Sequence, residues 1–169
     1  MNQQGRVIAV CTSTRTGVPK RPIEEGVLRE NWGIEGDAHA GEWHRQVSLL
    51  AIESIQKMQA LGLKVKPGSF AENITTEGLV LYELPIGTRM RLGTALAEVT
   101  QIGKICHSHC AIYELAGDCV MPREGIFVRI LEPGTVRAGS PIEILGRPED
   151  DQAQRAEDTV PHEDSSLPR

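Results

Sequence analysis

Aromatic residues are scarce in this chain, with two each of Phe, Tyr and Trp among 169 positions. A densely packed core must therefore be assembled from Val, Ile, Leu and Ala. A basic excess is lacking too. Eighteen Lys and Arg face 23 Asp and Glu, for a net charge of −5, and duplex nucleic acid demands a basic footprint that this balance does not supply. A small anionic ligand, which needs only a few well-placed cations, is not excluded. No apolar run approaches the roughly 18 residues that span a bilayer, so no membrane partner is expected. The N-terminus, "MNQQGRVIAV", has no charged-then-apolar signal organisation. The expected compartment is the cytoplasm, where the four cysteines are expected as thiols rather than disulfides. Neither GxxxxGK(S/T) nor GxGxxG occurs, so both familiar glycine-rich phosphate cradles are missing.

The acidity is concentrated at one end. Residues 147–169 hold seven acids against three arginines, a net −4, which leaves about −1 for residues 1–146. With few apolar groups to bury, that tail is expected to be a disordered, solvated extension. Residues 1–146 form the one expected domain, long enough to bury a core without staples.

"RVIAVCTST" (6–14) is rich in β-branched residues and reads as a first strand with Cys11 buried inside it. "TGVPKRP" breaks regularity, and "EEGVLRENWGIEGDAHAG" reads as short strands or loop. "QVSLL" (46–50) is a strand candidate. "AIESIQKMQALG" then places Ile52, Ile55, Met58, Gln59 and Leu61 or Leu63 near helical spacing, with Gly62 at the C-terminal cap. From Pro67 onward "PGSFAENITTEGL", "LPIGTRMRLG", "ALAEVTQIG", "GIFVRILEPG", "TVRAG" and "PIEIL" are β-type runs punctuated by glycine or proline. "CAIYELAG" (110–117) reads as one or two helical turns among them. The fold class is α+β and β-rich: a mostly antiparallel sheet closing into a barrel or sandwich, with a few short helices.

Residues 101–119, "QIGKICHSHCAIYELAGDC", hold three of the four cysteines and two of the five histidines. Cys106 and Cys110 have a spacing that zinc sites use, but no second pair lies elsewhere, and Cys119 would have to complete the set. Unreactive thiols are the plainer reading. A third reading rests on local character: Lys104 and His107 flank Cys106, and nearby cations favour the thiolate, the species that attacks, carries sulfur or ligates a soft metal. Upstream, Asp37, His39, His44, Arg45 and Gln46 crowd before an apolar strand. Asp37 and His39 are either an acid–base pair or a loop tie made through backbone hydrogen bonds. Glu72, Asn73, Thr75 and Thr76 offer polar groups in a glycine-bounded loop.

In order and spacing, "GIEGDAHAG" with "HRQVSLL", "PGSFAENITTEGL", "LPIGTRMRLGTALAEVTQIGKIC", "MPREGIFVRILEPGTVRAG" and "SPIEIL" resemble the MOSC domain, named after the C-terminal part of molybdenum cofactor sulfurase. The likeness covers roughly residues 5–145. It implies a barrel-like β-rich fold and a privileged cysteine at a strand end, a place that Cys106 occupies. In the family that cysteine is associated with carrying sulfur as a persulfide, or with ligating molybdenum in a pterin cofactor (molybdopterin). The resemblance implies that Asn73 and Thr75 face the pterin. Arg45 and Arg123 are the candidates for its phosphate, since a phosphate needs a forked cation or backbone amides. Catalytic roles then fall on Cys106, His107, Lys104, Asp37 and His39, and metal ligation on Cys106 and Cys110. Pyridoxal phosphate binding is a further association carried over.

Three functions are consistent with this likeness. The first is cofactor binding or sulfur carriage on Cys106, with a cysteine desulfurase or molybdoenzyme maturation proteins as partners. The others are molybdenum-dependent reduction of N-hydroxylated compounds, and a non-catalytic zinc- or cofactor-binding module. The run "GKIC" stands where relatives commonly have arginine and proline before the cysteine. Cys110 and Cys119 are thiols that many relatives lack.

Overall fold

The computed structural model describes residues 3–103 and 121–146. Lys104, Cys106, His107, Cys110 and Cys119, the expected turns at 110–117 and the acidic tail lie outside the described residues.

Seven strands close into a barrel. Their order around the wall is β11 (Pro141–Gly146), β7 (Arg89–Leu92), β8 (Ala95–Ile102), β9 (Ile126–Glu132), β5 (Val47–Ala51), β6 (Ile74–Glu77) and β1 (Gln4–Thr12). Pairing of Gln4 with Glu143 and of Arg6 with Pro141 joins β1 to β11 and seals it, which leaves no unpaired edge between those strands. Only the β5–β6 pair is parallel, because a parallel return needs a crossover, and α1 (Ile52–Ala60) supplies it. A short β2 (Arg21–Pro22) pairs with the far end of β1. A second sheet of β10 (Gly134–Arg137), β3 (Glu25–Arg29) and β4 (Gly33–Ile34) packs alongside. The barrel expected from the glycine rhythm is the fold observed.

All five residues of β5 are buried, since it is covered on both faces. Val47, Leu49 and Ala51 point into the barrel with Ile74, Val99, Val128 and Ile130. Leu50 points outward beneath α1, with Ile55, Met58, Phe70 and Phe127. The core inside the wall is aliphatic, as the shortage of aromatics required, and both Phe residues lie in the outer cluster. The helix ends as expected: Gly62 N–H donates to the Gln59 carbonyl (2.9 Å) and Leu63 N–H to that of Met58 (3.3 Å), a Schellman closure with Gly62 at φ +94°. Of the two leucines offered for the end of the stripe, Leu63 packs against the cluster and Leu61 is 66% exposed; Gln59, also placed in the stripe, is exposed instead.

The run "PGSFAENITTEGL" is strand only from Ile74 to Glu77. Residues 68–73 fold instead into a loop around the Glu72 carboxylate, described below. Just before β9, the described residues include a helical turn, α2 (Met121–Glu124), which the sequence did not suggest. Its Glu124 accepts hydrogen bonds from Ser54 Oγ (2.5 Å) and Lys57 Nζ (2.9 Å) on α1. Burial pushes this carboxyl up, but those bonds and the charges of Lys57 and Arg123 together hold it below the ordinary range. Among the described residues, no helix is long and apolar enough to cross a membrane.

Candidate functional site

The outer faces of β5 and β9 form the floor of a cavity of about 140 Å³. Ser48 and Phe127, partners across the two strands, contribute from the wall itself. His39, Trp43 and Arg45 close it from the 37–45 loop, and Phe70, Ala71 and Asn73 from the loop before β6. Trp43 also walls a more open concavity of about 530 Å³ that runs over Glu98, Thr100 and Arg129. The smaller space is below the size that encloses a whole drug-sized ligand.

Arg45 is the sole charged side chain among the described residues lining the smaller cavity. Its guanidinium carbon lies 5.4 Å from the Phe127 ring centroid and 6.0 Å from that of Trp43, so aromatic faces position the cation. Its Nε donates to Gln101 Oε1 (3.1 Å), which also accepts from His44 Nε2 (2.9 Å). The other end of the same amide donates to the Gly103 carbonyl (2.7 Å). Gln101 therefore couples the Arg45 loop to the end of β8, and no sequence signal marked it. Gln46, grouped with these residues in the sequence, is buried and ties Asn31 to the backbone of Ile130.

Behind His39 lies a buried ionic cluster. Asp37 Oδ1 accepts from Lys20 Nζ (2.9 Å) and Ser13 N–H (3.1 Å), and Oδ2 accepts from the backbone N–H of His39 (3.0 Å). Both charged side chains are 0% exposed. Asp37 thus holds the loop through backbone groups, the second of the two roles its sequence position allowed. It is Lys20 Nζ that meets the His39 ring, 3.1 Å from Nδ1. Lys20 was not singled out in the sequence, because a lysine between prolines reads as exposed loop.

Asn73 lines the cavity, yet its amide has internal duties. Oδ1 accepts from Ser48 N–H (3.0 Å) and Nδ2 donates to the Cys11 carbonyl (3.1 Å). The side chain thereby stitches β5 to β1 just before β6 enters between them. Thr75 is fully buried, with its hydroxyl on Glu72 Oε2 (2.8 Å). Glu72 also accepts from Gly68 N–H (2.7 Å) and Phe70 N–H (3.2 Å). Burial raises its pKa despite those three donors, which pull the other way. Arg123 is exposed on α2 and outside the cavity wall. The structure therefore brings together His39, Arg45 and Asn73, places Asp37 behind them, and sets Thr75 and Arg123 apart.

Cys11 is buried, as expected. Desolvation, and then the nearby Glu72 charge, push its thiol up to about 12, so the nucleophilic thiolate is scarce at neutral pH. Iodoacetamide applied to native protein should leave the Cys11 peptide unmodified by mass spectrometry, and label it fully in urea. Labelling of Cys11 in the folded state would contradict this.

The residues lining the smaller cavity suit an anionic, flat ligand: a held guanidinium, aromatic faces and a histidine. Among the described residues, no group of three or more His, Cys, Asp or Glu could hold a metal ion, so a metal here would need a ligand from elsewhere. Pyridoxal phosphate fits less well, because it is held through a lysine amine; no described lysine lines the cavity, and Lys20 is fully engaged.

A family model described as the MOSC domain matches residues 36–143. The chain is 27% identical over 144 residues to the uncharacterized protein YflK of Bacillus subtilis (strain 168), a match covering 79% of this chain and 65% of that relative. The chain thus spans somewhat less than two thirds of YflK. Among solved structures, the YuaD protein of Bacillus subtilis superposes with a TM-score of 0.67 at 18% identity, covering 85% of this chain and 97% of that one. YiiM from Geobacillus stearothermophilus gives 0.64 at 18% identity over 85% and 76%. YiiM from Escherichia coli gives 0.59 at 22% over 84% and 70%. These likenesses show a shared fold.

Proposed function

Because the chain belongs to the MOSC domain family, which is associated with the molybdenum cofactor, we propose that it binds that cofactor at the Arg45 cavity, with the Cys106 thiolate as sulfur donor to the metal. The observation that carries this reading is the pair of hydrogen bonds made by the Gln101 amide. The amide holds Arg45, the one cation among the described residues of the cavity, and the carbonyl of Gly103, and Cys106 follows Gly103 by three residues. This short spacing in the chain is what supports pairing the anion site with Cys106 as the soft ligand.

The cofactor, when bound, supplies a molybdenum centre capable of oxygen-atom and electron exchange. Arg45 binds anionic oxygens through its forked N–H groups. Trp43 and Phe127 keep the guanidinium aimed and shed water from it. Lys104, two residues before Cys106, and His107, the residue after it, favour its thiolate. That thiolate also suits sulfur carriage: it attacks the outer sulfur of a desulfurase persulfide, takes it up and releases the donor thiolate.

Elemental analysis of protein purified from molybdate-supplemented cells tests the reading. We expect near-stoichiometric molybdenum in the wild type, a fall of about 10–100-fold in Arg45→Ala, the order expected for a lost charge-assisted contact, and loss in Cys106→Ser. Stoichiometric zinc in place of molybdenum, with unfolding on chelation, would instead establish a zinc module. Dithiothreitol-releasable sulfur on the wild type, retained by Cys106→Ser, would remove Cys106 as the carrier.

A further inference from the structure

An ammonium has three protons to donate and no lone pair with which to accept. All three protons of Lys20 have acceptors: Asp37 Oδ1 at 2.9 Å, Ser13 Oγ at 3.0 Å and His39 Nδ1 at 3.1 Å. The set is self-consistent, since the Ser13 hydroxyl spends its own proton on the Arg15 carbonyl (2.9 Å). Lys20 is only 3% exposed, so water does not compete for these bonds.

The contact with His39 has one chemically consistent form. Lys20 can only donate, so Nδ1 must present its lone pair. A neutral imidazole with a bare Nδ1 carries its hydrogen on Nε2, on the opposite side of the ring. Asp37 does not pull that hydrogen back to Nδ1, because its oxygens are committed to Lys20, to Ser13 N–H and to the backbone N–H of His39. This inverts the common arrangement in which a carboxylate accepts from Nδ1–H and leaves Nε2 bare as a base.

We propose that Lys20 is a positioning residue that fixes His39 as the Nε2–H tautomer, so that the ring offers a neutral hydrogen-bond donor to an anionic oxygen held in the cavity beside Arg45. Lys20 and Asp37 balance each other's charge, so the cluster contributes alignment more than field. Arg45 attracts the anion, and His39 gives it direction. The tautomer is argued from the Lys20 contact; its service to a ligand rests on the cofactor-binding reading above.

Two measurements on the full chain decide it. A long-range ¹H–¹⁵N correlation of uniformly labelled protein at neutral pH reports which ring nitrogen of each histidine is protonated, and the signal lost in His39→Gln identifies His39. The expected result is a protonated Nε2 and bare Nδ1 in the wild type, giving way to mixed tautomers in Lys20→Met. A wild-type His39 with Nδ1 protonated, or with both nitrogens protonated, overturns the proposal without recourse to any variant. The second measurement is molybdenum retained through purification. His39→Leu should retain at least about 10-fold less than wild type, and His39→Gln, which keeps an N–H near the Nε2 position, should stay within about 3-fold. Equal retention by the two variants overturns the donor role. If the wild type retains no molybdenum, the cofactor-binding reading fails, and the spectrum still decides the tautomer.

Discussion

Replacing Gly68 with alanine is expected to lower the unfolding free energy by about 4 kcal/mol or more, among the largest effects of any single methyl group. Gly68 has φ +92°, and a Cβ built there would stand 2.2 Å from the Lys20 carbonyl oxygen and 3.1 Å from Cys11 Sγ. The first neighbour is backbone and cannot swing aside. Moving it breaks the Lys20 N–H to Gly68 carbonyl bond (2.9 Å) and withdraws the ammonium from Asp37 and His39. Gly62 provides the control. Its φ of +94° imposes a similar conformational cost, yet its Cβ would meet open space, so Gly62→Ala should cost only about 1–2 kcal/mol. Urea unfolding of both variants measures the difference. If Gly68→Ala is no less stable than Gly62→Ala, the close approach of the 68–72 loop to Lys20 is not what holds this region.

The same loop shows what the sequence could and could not disclose. Helix α1 was legible because its apolar spacing and its terminating Gly62 are both local. The barrel was legible because short β-type runs between glycines leave few other architectures. Glu72, Asn73 and Thr75 were legible as a polar group, but their use was not. The loop's own amides, the start of β5 and the Cys11 carbonyl all need partners, and a polar side chain that satisfies neighbours looks the same in sequence as one that awaits a ligand. Lys20 was hidden for a related reason: its burial depends on Asp37 and His39, 17 and 19 residues away. Arg45 could be guessed as a cation. That Phe127, 82 positions on, and Gln101 would hold it is decided only by the pairing of β5, β9 and β8.

Lys20→Met should cost about 3–5 kcal/mol, because it leaves the buried Asp37 carboxylate without its counter-charge. Asp37→Asn should cost a comparable amount, since it strands the ammonium and gives up one of the acceptors for Ser13 and His39. Combining the two removes both charges, and the double variant should be more stable than the sum of the single losses by at least about 2 kcal/mol. Urea unfolding of the four proteins gives that coupling directly; additivity within about 0.5 kcal/mol would show that the pair is not a unit. The cycle also separates stability from function. A buried ion pair seldom adds more than apolar groups of the same shape would, so stability alone does not account for a lysine here. If its purpose is to hold the His39 ring, the double variant should recover much of its stability while its His39 loses the single tautomer and its molybdenum content stays low. Recovery of both together would mean that Lys20 serves the fold and nothing further.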